Sequence, residues 1–296
     1  MKNLLDVLKE ADEKKVAIGH FNISDTAGLK AIFEAARNLN FPILIGVSEG
    51  EREFIGTSQA AALISSLRNE YNYPIFLNAD HTHSLDKVKE AAIAGFDEIL
   101  FDGSKLPLEE NIKQTKEAVS IVKSINPNAL VEGEIGYIGS SSEIVDEIPK
   151  ESLILTTPGE AKRFADETGI DVLAPAVGNM HGLLKSMLTG EVHKKLNIEL
   201  IAKIKEIING KFMTLHGGSG TADEDFINAI KAGITIVHVN TEIRVAWRKG
   251  VEQGLKQNSE EVAPYKILPP AVSEIEKVVS GRLKLFNPAS WSANAS

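Results

Sequence analysis

Pro74-Ile75-Phe76-Leu77-Asn78-Ala79-Asp80-His81 is an apolar run that ends abruptly in polar, chemically active residues, and Ser84 then opens a segment of helical period reaching Ala94. A buried strand that empties onto a loop of functional side chains and returns as a helix is one β/α unit. The same order recurs along the chain. Strand-like runs lie at Val16 to Phe21, Ile43 to Val47, Ile75 to Asn78, Glu98 to Phe101, Leu130 to Glu134, Asp171 to Leu173, Phe212 to Leu215 and Thr235 to Val239. Helical segments alternate with them at Thr26 to Asn38, Ser58 to Glu70, Ser84 to Ala94, Leu108 to Ser124, Pro158 to Thr168, Ile198 to Ile208, Ala222 to Lys231 and Glu242 to Gln257. Thr157 before Pro158, with Glu160 following, is a helix-start signal, and Gly95, Gly169, Gly210 and Gly233 sit where helices stop. No Pro/Ser-rich linker or low-complexity segment interrupts the array. The pattern predicts an α/β fold, a single (β/α)8 TIM barrel over residues 1–296. A C-terminal helical extension is expected from about 258 to 296, with Leu268 to Val279 an extra helix and a candidate for packing on another subunit.

Composition narrows the function. Lys and Arg number 32 against 41 Asp and Glu, a formal charge of −9, and no basic run with interleaved aromatics appears, so nucleic acid is not an expected partner. An acidic chain repels a phosphorylated ligand at long range, so any phosphate must be held by local cations and backbone N–H groups within a Debye length of ~8 Å. Without cysteine, a metal must be bound by His, Asp or Glu. No apolar stretch approaches the ~20 residues that span a bilayer, and Met1 to Lys15 mixes Leu with charges rather than forming a signal peptide. The expectation is a soluble, cytoplasmic protein with no membrane partner.

Three histidines follow strand-like runs: His81, His181 within Gly178-Asn179-Met180-His181-Gly182, and His216 within His216-Gly217-Gly218-Ser219-Gly220. Side chains at the carboxyl ends of barrel strands meet at one mouth, and a catalytic divalent ion asks for three protein ligands plus an open position. The three together therefore point to a metal centre. His83 reads as the start of the following helix, and His20 and His193 carry no comparable context. Asp80, beside a proposed ligand, suits a general acid or base. Glu132 and Glu134, two apart on one strand, share a face, so one of them could reach the metal, and Asp102 closes the fourth strand similarly. The Gly-rich loop after the seventh strand and Asn240-Thr241-Glu242 after the eighth occupy the positions where such barrels hold phosphate, and Gly182 and Lys185 could add an N–H and a charge.

These segments together resemble the class II, metal-dependent fructose-bisphosphate aldolases, including the tagatose-bisphosphate branch. The similarity runs over essentially the whole chain. It is carried by Ala79-Asp80-His81, Phe101-Asp102-Gly103-Ser104, Val131-Glu132-Gly133-Glu134-Ile135-Gly136, Ala176 to Gly182, Leu215 to Gly220 and Val239-Asn240-Thr241-Glu242. The resemblance implies zinc or a similar divalent ion on His81, His181 and His216, with Glu134 and Asp102 matching an alternative metal location, and a monovalent cation or second metal site as a further element. It implies reversible aldol cleavage of a ketose bisphosphate, fructose 1,6-bisphosphate to dihydroxyacetone phosphate and glyceraldehyde 3-phosphate, with tagatose 1,6-bisphosphate as the alternative substrate. Asp80 would exchange the hydroxyl proton, and the loop from Gly139 to Asp146 would be the mobile segment that delivers the proton-abstracting acid, with Glu143 the candidate.

By the same resemblance Asn22 and Ser48 belong to the aldehyde half, and Gly182, Lys185, Gly217, Gly218, Ser219, Asn240 and Thr241 to the ketone-side phosphate. A homo-oligomer, dimer or higher, is implied. Two positions depart from the family pattern. His238 stands where Asn is usual and could still hydrogen-bond the ketone fragment, and Lys266 stands where an Arg usually reaches the far phosphate. These departures leave a non-catalytic phosphosugar-binding barrel as a competing reading. Metal-assisted hydrolysis, from His81-Thr82-His83, wants that His pair on the first strand, and Schiff-base chemistry finds no lysine in an activating motif at a strand end.

Overall fold

The computed structural model describes residues 2–139, 144–145, 154–189, 192–257 and 259–288. In chain order they form α1 (Leu4–Lys14), β1 (Ile18–Asn22), α2 (Thr26–Leu39), β2 (Ile43–Val47), α3 (Glu49–Ile55), α4 (Thr57–Tyr71), β3 (Ile75–Thr82), α5 (Leu85–Ala94), β4 (Glu98–Phe101) and α6 (Leu108–Ile125). There follow β5 (Leu130–Ile135), β6 (Ile144–Val145), α7 (Pro158–Thr168), β7 (Val172–Pro175), β8 (Leu183–Leu184), a 3-10 helix over Lys185–Thr189 and α8 (Ile198–Ile207). The chain closes with β9 (Phe212–Leu215), α9 (Asp223–Ala232), β10 (Ile236–Val239), α10 (Thr241–Gln257), α11 (Pro264–Ile267) and α12 (Pro269–Phe286). The strands β1-β10-β9-β7-β5-β4-β3-β2 hydrogen-bond in that order into a closed barrel, parallel throughout, and β6 and β8 pair apart from it. This is the (β/α)8 architecture read from the alternation.

The barrel interior changes character along its axis. At the amino end, Ile18, Leu44, Phe76, Leu130, Val172, Phe212 and Ile236 form one apolar cluster with Leu4, Val7, Leu8 and Ala11 of α1. Spacing of i, i+3, i+4 and i+7 puts those four on one helical face. The helix α1 therefore stoppers the bottom of the barrel, an element absent from the sequence reading because its charged face obscures a narrow apolar stripe. Toward the carboxyl end the interior turns polar, with His20, Asn78, Glu98, Glu132 and Thr214 each fully buried. Such a layer is costly unless every group finds a partner, so it marks where the chemistry sits.

The C-terminal helix requires a correction. It runs to Phe286 rather than stopping at Val279, and it is no appendage. Its buried face, Ala271, Ile275, Val279, Leu283 and Phe286, packs between α10 and α2 and reaches β1. Asn287 Nδ2 donates to the Ala17 carbonyl at 3.1 Å, pinning the end of α12 to the entry of the first strand. Close approach depends on two glycines of α10: a Cβ on Gly250 would lie 2.2 Å from Ala271 Cα, and one on Gly254 would lie 2.0 Å from the Ile267 oxygen. The helix thus fills a place in the outer ring. Its periodicity betrayed a buried face without saying which subunit supplied the partner.

Candidate metal centre and active site

Strand β3 continues past Asn78 to Thr82, so Asp80 and His81 belong to the strand end rather than to a loop. Its register against β4 shifts between Ala79 and Thr82, and His81 has φ +41°, a conformation uncommon outside glycine. The irregularity re-aims successive side chains. Arg52, buried on α3, holds it in place by donating to the Asp80 carbonyl at 3.2 Å and to Thr82 Oγ1 at 3.0 Å. His181 comes from the loop after β7 and is tethered by its N–H to the Ile138 carbonyl at 2.7 Å, while His216 follows β9 directly.

The three rings converge. Centroids lie 4.7 Å apart for His81 and His181, 4.9 Å for His81 and His216, and 5.7 Å for His181 and His216. One donor atom from each of these histidines and one from Glu134 fall within 4.8 Å of one another. The fit to a divalent ion is tested by the remaining ring nitrogens. His81 Nδ1 meets Asp102 Oδ2 at 2.8 Å, and His216 Nε2 meets Glu132 Oε1 at 2.9 Å. Asp102 is ionised and accepts, so His81 Nδ1 carries the proton, and in both rings the opposite nitrogen is left for the cluster. Those opposite atoms, His81 Nε2 and His216 Nδ1, are buried without a hydrogen-bond partner, as is His181 Nε2. Three partnerless ring nitrogens gathered in one buried site form a donor set that a cation would satisfy, and nitrogen donors with one carboxylate nearby suit zinc.

The carboxylates divide between two jobs. Glu134 stands with the three imidazoles. Asp102 is not in that group: it is spent on the outer nitrogen of His81 and on Ser104, whose hydroxyl donates at 2.6 Å, and so orients a ligand. Burial would lower the His81 pKa, but Asp80, the Asp102 hydrogen bond and Glu134 push it up to about 10. The same surplus of negative charge that holds a proton there would hold a divalent ion. Burial pushes His216 down to about 3 and His181 well below the usual range, which keeps both in the neutral, ligating form. Glu132 is pushed up to about 8 by burial and the Asp80 charge, and burial and Asp102 push Glu134 well above the ordinary carboxyl range.

Asp80 sits beside this cluster with its oxygens in unlike surroundings. Oδ2 accepts from Asn22 Nδ2 at 2.9 Å, and Asn22 Nδ2 is also 2.8 Å from Glu51 Oε2. Oδ1 has no hydrogen-bond partner, lying 3.7 Å from His81 Nε2 and 3.5 Å from His238 Nδ1. Burial would raise the Asp80 pKa, but His81 and His238 hold it well below the usual range, so the group waits as a base. His238 stacks on His20 with centroids 3.4 Å apart and planes 2° from parallel, a consequence of the direct register of β1 with β10. Burial brings His20 down to about 4 and His238 well below its usual range, so the stacked rings are neutral. A Cβ on Gly46 would lie 2.1 Å from His20 Cε1, so only glycine there leaves room for the pair.

A small pocket opens above these groups, lined by Asn22, Asp80, His181 and His238 together with Gly182, Gly217, Ser219, Asn240 and Thr241. Gly218 lies behind the lining, its N–H bonded to the His238 carbonyl at 3.0 Å. Ser48 precedes α3 and donates its N–H to Glu51 Oε2 at 2.8 Å, and Lys185 begins the 3-10 helix; neither lines the pocket. Lys266 is on the surface in α11, ion-paired with Glu261 at 2.9 Å, and is not among the lining residues. Glu143 lies outside the described residues. His83 is exposed, as expected for the residue ahead of α5. His20, Glu51, Arg52 and the pairing of Glu132 with His216 escaped sequence reading. Of these only Glu132 carried a signal, its strand face shared with Glu134.

The family described as fructose-bisphosphate aldolase class-II matches residues 2–290. A fructose-bisphosphate aldolase of Staphylococcus aureus is 33% identical over 287 residues, covering 96% of each chain. One from Geobacillus stearothermophilus is 32% identical over 294 residues, covering 98% of each. The crystal structure of the YdjI aldolase from Escherichia coli K12 superposes with a TM-score of 0.81 at 25% identity, covering 96% of this chain and 97% of that one. With its barrel, its three convergent imidazoles and a match along nearly its whole length, the chain belongs to the class-II fructose-bisphosphate aldolase family.

Proposed function

We propose that this protein catalyses the reversible aldol cleavage of a ketose bisphosphate, fructose 1,6-bisphosphate, into dihydroxyacetone phosphate and glyceraldehyde 3-phosphate, with zinc held by His81, His181 and His216. The observation that carries this reading is the set of three partnerless imidazole nitrogens beside an ionised Asp80 at the mouth of a polar pocket. When bound, the ion supplies a Lewis acid that takes up negative charge at the ketone oxygen. Asp80 Oδ1 accepts the proton of the C4 hydroxyl, the C3–C4 bond breaks, and its electron pair passes to the ketone fragment as C4 becomes the aldehyde carbon. Asn22 keeps Asp80 aimed by bonding its other oxygen. Return of a proton to C3 is assigned to Glu143 on sequence grounds. His238, neutral and facing the pocket, offers a hydrogen bond to the ketone fragment, and the backbone around Gly182, Gly217 and Ser219 offers N–H groups to its phosphate.

Exhaustive chelation is expected to lower the retro-aldol rate by at least about 1,000-fold, the worth of several kcal/mol of lost charge stabilisation, with recovery on adding zinc. A coupled assay run on fructose and tagatose bisphosphates checks both reaction and substrate. Activity that survives complete metal removal would exclude the proposed electrophile, and turnover of the tagatose epimer alone would move the substrate assignment to that branch. Among the described residues no helix is long and apolar enough to cross a membrane.

A further inference from the structure

Lys194 is a lysine buried away from solvent. It is 5% exposed, and its Nζ donates to three backbone carbonyls, those of Met180 at 2.7 Å, Gly182 at 2.7 Å and Gly217 at 2.8 Å. Three acceptors for three N–H bonds is the full capacity of an ammonium group, and a neutral amine could not serve them. Burial, opposed by Glu242, pulls its pKa down to about 7, while the three carbonyls favour the charged form. Among the described residues no carboxylate bonds to it directly: Glu242 accepts instead from the Gly220 N–H at 3.0 Å and from Arg282 Nη2 at 2.9 Å. The carbonyls belong to the loops on either side of His181 and after His216, whose Gly182, Gly217 and Ser219 line the pocket. Lys194 is tied to the second loop by its own backbone as well, with its N–H donating to the Gly220 carbonyl at 3.0 Å.

Backbone carbonyls converging on one buried cation at ~2.8 Å are what a potassium or ammonium ion meets in a dehydrated protein site. Here the cation is part of the chain. We propose that the Lys194 ammonium is a built-in monovalent cation that locks the His181 and His216 loops together and places a positive charge beneath the ketone-side phosphate, so that the protein needs no monovalent metal ion. Lys194 is a positioning residue: it touches the loops, and the loops present the pocket. Its place in the phosphate cradle rests on the function proposed above, whereas its role as the cation of the carbonyl cage does not.

The test uses the full-length, zinc-loaded protein with inorganic phosphate and thallium(I) as probes. Wild-type protein is expected to show no bound thallium by 205Tl NMR and to change in phosphate affinity and retro-aldol rate by no more than about twofold when tetramethylammonium replaces potassium at constant ionic strength. Lys194→Ala in tetramethylammonium is expected to bind phosphate at least about tenfold more weakly, to bind thallium, and to recover affinity in potassium or ammonium, because the emptied cage accepts a free ion. A merely structural lysine would give no such rescue. Lys194→Gln, which keeps a shorter stem and an N–H donor without the charge, should lose phosphate affinity similarly and keeps the test open should the alanine variant not fold. Thallium bound to wild type, a potassium requirement in wild type, or unchanged phosphate affinity in a folded charge-free variant would each overturn the proposal. If wild type binds no phosphate, yet Lys194→Ala gains a thallium site that wild type lacks, the cation role stands and the phosphate-cradle reading falls.

Discussion

His216→Ala is expected to empty the metal centre and to lower kcat by at least about 1,000-fold, because the electrophile leaves with its ligand. His216 is fully buried and offers Nδ1 to the cluster while Nε2 is held by Glu132. His238, 4.0 Å away by ring centroid, is already stacked on His20. Zinc content by atomic spectroscopy and rate by coupled assay should fall together, with circular dichroism reporting an intact barrel. A variant with full zinc and a lowered rate would show that His216 acts in catalysis without being a ligand. Glu132→Gln offers a finer control. The amide cannot ionise and can present either an oxygen or an N–H to Nε2, so the His216 tautomer is no longer fixed, and the expected loss of metal affinity is about 10- to 100-fold.

Asp80→Asn separates proton transfer from metal binding. The amide is nearly isosteric and retains an oxygen for Asn22 Nδ2, but it cannot accept the hydroxyl proton. The expected fall in kcat is about 100- to 10,000-fold with zinc content unchanged. His81 will also feel the loss, since the Asp80 charge is what chiefly opposes burial in setting its pKa. In a metal-free variant that ring should therefore lose its proton at lower pH than in the metal-free wild type, a shift that NMR titration of the imidazole reads directly. Unchanged kcat in a folded, zinc-loaded Asp80→Asn would remove the carboxylate from the mechanism.

Why so much of this could be read from sequence is plain from the barrel itself. Eight buried strands must be apolar runs, their crossovers must be helices, and side chains at strand ends must face one mouth, so His81, His181 and His216 announced themselves by position. What stayed hidden was pairwise. Asp102 and Glu134 look alike in sequence, yet one bonds to the outer nitrogen of His81 and the other stands among the inner nitrogens. His20 seemed without context because its context is His238, aligned with it across β1 and β10 but far off in the chain. Lys194 lies in a loop with no periodicity, and backbone carbonyls, its partners, leave no trace in residue identity. The helices α1 and α12 concealed their packing for a related reason, since an amphipathic face reports that something covers it and not what.

X-ray absorption spectroscopy of the zinc-reconstituted protein tests the convergence of the three imidazoles most directly. The expected spectrum has about one zinc per chain with three histidine nitrogens at about 2.0–2.1 Å and a further light-atom ligand. Zinc coordinated by fewer than three imidazoles, or a spectrum unaltered in His81→Ala, His181→Ala and His216→Ala, would contradict the site.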